Sequence, residues 1–173
     1  MVTACLGSVA SSFADSTGGA GDGTKAASYP APKSSAPVHR AALRHDGTAV
    51  APSDAPVAVK RVIAAANKIA KTPYRYGGGH GSFHDSAYDC SGSVSYALHG
   101  GNLLSSPMPS GSFQSYGSRG RGRWITTYAN GGHMYAVIAG LRFDTSGARS
   151  SGSRWQRASR SASGYTVRHP RGY

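Results

Sequence analysis

The chain has 173 residues, 39% of them hydrophobic, and carries 19 Lys and Arg against 7 Asp and Glu, for a net charge of +12. This length and apolar content suit one modest core with an extension, and the lack of any run of about eighteen apolar residues excludes a membrane-spanning helix. Two cysteines, Cys5 and Cys90, are too few and too widely separated for a disulfide framework.

The amino-terminal stretch MVTACLGSVASSFAD contains Val2-Thr3-Ala4-Cys5, similar to a bacterial lipobox, and Ser12-Phe13-Ala14, similar to a small-residue cleavage site. Either implies export, to a secreted or surface-associated location, with Cys5 as a lipid-anchor position. The basic and apolar regions of a signal peptide do not precede them, so a signal remnant and a chance match in an Ala/Ser-rich tail both fit. From Ser11 to Ala55 the apolar residues follow neither a helical nor a strand period and cannot bury enough surface to offset chain entropy. Residues 1–55 are therefore expected to be signal remnant and disordered linker, and residues 56–173 one folded domain.

Charge follows the same division. Up to Ala58, Lys25, Lys33, Arg40 and Arg44 balance Asp15, Asp22, Asp46 and Asp54, whereas fifteen Lys and Arg beyond it face only Asp85, Asp89 and Asp144. Such a domain attracts polyanions. Its cations are scattered singly through Gly/Ser-rich stretches, without a basic helix face, a zinc-finger spacing or an aromatic RNA-binding signature, so no specific nucleic-acid partner is expected. An anionic cell-wall or membrane surface and a simply solvated basic face both account for the charge.

Residues 53–71, SDAPVAVKRVIAAANKIAK, predict a helix: Ser53 or Asp54 can cap it, Pro56 suits its first turn, and Val59, Val62, Ile63, Ala66 and Ile69 form an apolar stripe. Thr72-Pro73 stops it. A glycine-rich loop follows, YRYGGGHGSFHDSAYD, and then a second helix from Cys90 to about His99, with Val94, Ala97 and Leu98 inward and Gly100-Gly101 as its stop. The second half reads as strands over 123–130, 133–140, 141–145, after a tight turn around Gly140, and 164–170. Helices first and antiparallel strands afterwards make the fold class α+β. Tyr116, Trp124, Tyr128 and Trp155 are sugar platforms or, as is commoner, core and rim residues.

A cysteine in the first turn of a helix meets unpaired amides and the positive end of the helix dipole, which favour thiolate over thiol. Acyl transfer by such a sulfur needs a base within reach, a polar group that orients the base, and donors for the developing oxyanion. His133, which opens an apolar strand after ANGG, is the best-placed base. Asp144, eleven residues on along the returning strand, can orient its ring and is the sole acid after Asp89. An inert packed cysteine and a structural strand histidine are the bland alternatives.

PYRYGGGHGSFHDSAYDCSGSVSYAL followed by GGHMYAVIAG resembles the NlpC/P60 family of cysteine peptidases, whose marks are a Tyr-x-x-Gly-Gly loop, Asp-Cys-Ser-Gly at a helix start and a histidine opening a strand. The resemblance spans roughly residues 59–145. It implies a papain-like core, with the nucleophile helix packed on an antiparallel sheet, and cleavage of peptidoglycan stem peptides, commonly between D-glutamate and the diamino acid. By position it makes Cys90 the nucleophile, His133 the base and Tyr74 the oxyanion donor beside the Cys90 amide. It also puts Asp89 and Ser91 along the amino-terminal side of the substrate, where Asp89 can pair with a free L-alanine amine. No cofactor is implied, and a monomer is expected.

The chain departs from that pattern in three places. The loop from Tyr74 to Cys90 is about four residues longer, adding His80 and His84. GRGRWITTYANGG replaces a Leu-x-Pro-Gly-Asp turn, and the third polar residue, usually a histidine about twelve positions on, falls at Thr145 here. Asp144 is preferred to Thr145 because an anion holds an imidazole tautomer where threonine does so weakly, which requires a hairpin one residue shorter. Two rival functions remain: a zinc hydrolase drawing on His80, His84, Asp85, Asp89 and Cys90, against which the glycines argue, and a non-catalytic cationic wall-binding module.

Overall fold

The computed structural model describes residues 40–157 and 159–173. The lipobox reading, Cys5 and the linker up to residue 39 lie outside the described residues.

In chain order the elements are β1 (Ala42–Leu43), β2 (Ala49–Val50), α1 (Val57–Lys68), α2 (Cys90–Gly100), α3 (Ser110–Phe113), β3 (Ser118–Arg119), β4 (Ile125–Ala129), β5 (Met134–Ile138), β6 (Leu141–Phe143), α4 (Ala148–Ser151), β7 (Trp155–Gln156) and β8 (Thr166–His169). Six strands form one antiparallel sheet in the order β3-β8-β4-β5-β6-β7. The α+β class is as expected, and α2 packs on β5 at the middle of the sheet, with α1 packed on α2.

The apolar stripe of α1 is buried in full, from Val59 and Val62 to Ile69. It closes on Val94, Ala97 and Leu98 of α2, and that layer meets Ile125, Met134, Ile138, Phe143 and Trp155 from the sheet. Fully buried side chains such as Val62, Leu98 and Ile138 each contribute about 1.5–3 kcal/mol of transfer free energy. The helix is shorter than expected: Pro56 is its N-cap, without a side-chain cap bond, and neither Ser53 nor Asp54 takes that role. Trp124, Tyr128 and Trp155 are buried and Tyr116 is half-buried, so these rings serve the core and its rim.

Residues 40–55 correct the expectation of a linker reaching Ala55. β1 and β2 pair as a hairpin whose turn is fixed by Asp46, the Oδ1 of which accepts from the Thr48 amide at 2.8 Å and the Thr48 hydroxyl at 2.6 Å. Ala41, Ala49 and Ala55 join the core. Asn67 of α1 clasps the hairpin, donating from Nδ2 to the Ala49 carbonyl and accepting from the Ala49 amide, both at 2.8 Å. Its Oδ1 also accepts from Trp155 Nε1 at 2.9 Å. Two-residue strands carry no readable period, and their partner is a polar residue on a helix, so composition concealed them.

β5 and β6 are joined by Ala139 and Gly140, both at positive φ (45° and 81°), in register Ile138 with Leu141 and Ala136 with Phe143. Such a turn matches the twist of the strands it connects. A third close fit lies where α2 begins: a Cβ on Gly92 would stand 2.0 Å from the Gly78 carbonyl oxygen, so the glycine-rich loop and the helix touch backbone to backbone.

The Asn67 clasp yields a stability prediction. Asn67→Ala should lower unfolding free energy by about 3 kcal/mol, through three lost bonds and the buried groups they leave unsatisfied, measured by urea denaturation; a loss below about 1 kcal/mol would show that the hairpin is not held this way.

Candidate active site

Asp89 ends the glycine-rich loop in an extended conformation and caps α2, its Oδ1 accepting from the Gly92 amide at 2.8 Å. This makes Cys90 the first residue of the helix and leaves its sulfur half-buried and free. Burial acts to raise the thiol pKa, but hydrogen bonds from the His133 side chain and the Met134 backbone amide outweigh it, and the pKa falls below the ordinary thiol value. Helix start and strand start thus meet at one sulfur.

His133 immediately precedes β5, and its loop is set by Asn130, whose Oδ1 accepts from the amides of Gly132 at 3.0 Å and His133 at 2.9 Å. Its Nε2 lies 3.0 Å from Asp144 Oδ1 and 3.3 Å from the Ser146 hydroxyl. With Nε2 so engaged, Nδ1 is the nitrogen left for the thiol. The Asp144 contact, followed by that of Cys90, raises the imidazole pKa to about 9 against the opposing effect of burial.

Asp144 follows β6, and its side chain is wholly buried. Burial works to raise its pKa, but the His133 and Ser146 hydrogen bonds prevail and keep it below the usual carboxylate value. Oδ1 also accepts from the Ser146 amide at 2.8 Å, while Oδ2 accepts from Arg160 at 3.0 Å and stands 3.6 Å from Arg142 Nε. Arg160 itself lies over the rings of Tyr135 and Tyr165, which stiffens this end of the site. Of the two alternatives for a third polar residue, Asp144 is the one at the imidazole; Thr145 lines the neighbouring groove.

Tyr74 leads the glycine-rich loop and is 59% exposed. Partial burial and then the nearby Cys90 and Asp89 raise its phenol pKa, consistent with a ring beside the sulfur. A groove of about 720 Å³ is lined by the segment from Lys71 to Tyr74 together with His133, Ser146 and Arg154.

Asp89 and Ser91 do not line this groove as the resemblance implied. They are 4% and 2% exposed, and their oxygens are taken inside the protein. Asp89 Oδ2 accepts from the Gly77 amide at 3.0 Å, and His80 Nε2 from the longer loop sits 3.0 Å from Asp89 Oδ1 and 2.9 Å from Ser91 Oγ. The extra histidine thus covers the acid that the resemblance assigned to a substrate amine. The other members of the suggested zinc set are dispersed: Asp85 pairs with Arg75 at 2.6 Å and accepts from the Gly79 amide at 2.9 Å. Among the described residues no three His, Cys, Asp or Glu side chains converge in a way that would hold a metal ion.

Two residues of this region escaped sequence reasoning. Ser146 gave no signal beyond its position two residues after Asp144. Arg154 gave none at all, since in SGARSSGSRWQRASRS it reads as one more solvated cation. It is 2% exposed. Its Nε donates to Ser93 Oγ at 2.9 Å, NH1 donates to the carbonyls of Ile69 and Thr72, both at 2.6 Å, and NH2 donates to those of Tyr88 at 3.0 Å and Pro73 at 3.3 Å.

The opposing shifts of Cys90 and His133 predict a thiolate–imidazolium pair through neutral pH. At pH 7 iodoacetamide should alkylate Cys90 about tenfold faster than in His133→Ala, where only the Met134 amide is left to oppose the rise in thiol pKa that burial causes. The native alkylation profile should also fall off at lower pH than that of the variant, and coincident profiles would disprove the pair.

No family model matches the chain, and no curated protein matches it. Its fold is similar to the solved structure of the peptidoglycan hydrolase RipB from Mycobacterium tuberculosis, at 24% sequence identity and a TM-score of 0.51, with 70% of this chain and 71% of that chain covered.

Proposed function

We propose that the protein is a cysteine endopeptidase that hydrolyses peptide bonds in the stem peptides of bacterial peptidoglycan. The observation that carries this reading is the sulfur of Cys90 at a helix N-terminus, its pKa lowered by His133, whose Nε2 lies 3.0 Å from buried Asp144. Nucleophile, base and orienting acid come from three separate parts of the chain, and no packing requirement demands that they meet. The fold shared with a peptidoglycan hydrolase and the predominance of cations over acids support an anionic wall polymer as the setting.

In the proposed reaction the Cys90 thiolate attacks the amide carbonyl, forming a C–S bond as the carbonyl electron pair moves onto oxygen. The Cys90 backbone amide and the Tyr74 hydroxyl stabilise that oxyanion. As it collapses the C–N bond breaks, and the imidazolium of His133 gives its proton to the leaving amine. Water, deprotonated by the now neutral His133, then attacks the thioester and releases the acid, and thiolate and imidazolium are restored. Asp144 holds the ring and its charge throughout. The bond proposed is that between D-glutamate and the diamino acid, cleaved at the cell surface or outside the cell.

Among the described residues no helix is long and apolar enough to cross a membrane. The rival reading, a cationic module that binds wall without cutting it, is separated by one experiment. Purified peptidoglycan digested by the native protein should release fragments whose masses place the cut in the stem peptide, and Cys90→Ala should release none, a loss of at least about 10⁴-fold. Equal behaviour of the two proteins would sink the peptidase.

A further inference from the structure

We infer that Arg154 is a positioning residue, whose buried guanidinium fixes Tyr74 against the start of α2 and so sets the oxyanion site of the proposed acyl transfer. The inference rests on the role proposed above for Tyr74.

Tyr74 has little else to hold it. Its side chain is largely exposed, and among the described residues no side chain bonds its hydroxyl or stacks on its ring. The direction of its ring is therefore inherited from the backbone just before it. Arg154 grips that backbone, donating to the carbonyls of Thr72 at 2.6 Å and Pro73 at 3.3 Å. The Pro73 carbonyl also accepts the Tyr88 amide at 3.0 Å, tying the two segments directly.

The same guanidinium grips the chain just before Cys90. NH2 donates to the Tyr88 carbonyl at 3.0 Å, and Nε donates to Ser93 Oγ, which in turn donates to the Asp89 carbonyl at 2.6 Å. NH1 also reaches the Ile69 carbonyl beyond the end of α1, at 2.6 Å. One rigid planar group therefore spans the segments that carry the proposed oxyanion donor and the proposed nucleophile. Only the five-donor fork of arginine can serve this many carbonyls at once; lysine has a single nitrogen to offer.

The cost of this arrangement supports the reading. Among the described residues Arg154 forms no ion pair, so a full charge is buried with only carbonyl and hydroxyl dipoles around it, an expensive choice for a core position. A purely packing role would be met by an apolar side chain of similar volume.

Acyl transfer from p-nitrophenyl acetate to Cys90 tests the inference in four proteins: native, Tyr74→Phe, Arg154→Lys and the double variant. Tyr74→Phe should slow acylation by about a hundredfold and Arg154→Lys by about tenfold or more, and the double variant should be no slower than Tyr74→Phe within about twofold, since the lysine acts only through the tyrosine. Iodoacetamide alkylation, which needs no oxyanion donor, should stay within about twofold of native in Arg154→Lys. Losses that multiply in the double variant, or alkylation that falls in step with acylation, would overturn the inference.

Should Arg154→Lys fail to fold, Ser93→Ala removes the Nε acceptor and passes through the same cycle under the same criteria. If native protein gives no acyl burst, the peptidase reading fails by itself, and amide hydrogen exchange decides on Arg154. Arg154→Lys should then speed exchange of residues 74–78 by at least about tenfold with β4 and β5 unchanged, and unchanged exchange would refute the positioning role.

Discussion

The abutment of one helix start on one strand start governs the molecule. Because Gly92 has no side chain and meets the Gly78 carbonyl, α2 can sink into the glycine-rich loop until Cys90 reaches the first residues of β5. The sulfur pays for this depth in lost hydration, and the compensation comes from the strand, through the His133 ring and the Met134 amide. Neither element would suffice alone: the helix supplies dipole and amides, and the strand supplies the proton acceptor and the donors that tip the balance toward thiolate.

The acids beyond Ala58 tell a related story. Beyond Ala58 there are only Asp85, Asp89 and Asp144, set among fifteen Lys and Arg. Each is spent on local architecture. Asp85 holds Arg75 and the Gly79 amide, Asp89 caps α2 under His80, and Asp144 holds the imidazole with help from Arg160. Asp89 and Asp144 are buried and Asp85 is held at the surface by Arg75, so the excess of exposed cations in this part of the chain reflects how carboxylates are used inside as well as how many arginines lie outside.

Much of this was legible in the chain. The stripe from Val59 to Ile69 announced α1, the Asp-Cys-Ser-Gly step marked the start of α2, and the apolar run after His133 announced β5, because period and capping chemistry act within a few residues. Asp144 was legible as the nearest acid on a returning strand. What stayed hidden depends on partners far away in sequence. The hairpin at residues 42–50 is made readable by Asn67 and Trp155, Arg154 by four carbonyls 66 to 85 residues distant, and the burial of Asp89 by the added His80. Composition classes a residue by its own type and cannot register that a cation in a Gly/Ser stretch will be swallowed by the core.

The two-residue turn at Ala139 and Gly140 has a consequence for how such sites diversify. Its length sets the offset between β5 and β6, and so decides which side chain of the returning strand reaches the imidazole. Removing a single residue there, with the pairing kept tight, would shift the count by one and carry the carboxylate away while presenting its successor, Thr145. Exchange of the group behind the histidine can therefore proceed by insertion and deletion at a loop tip, remote from the chemistry, with no replacement at the site itself.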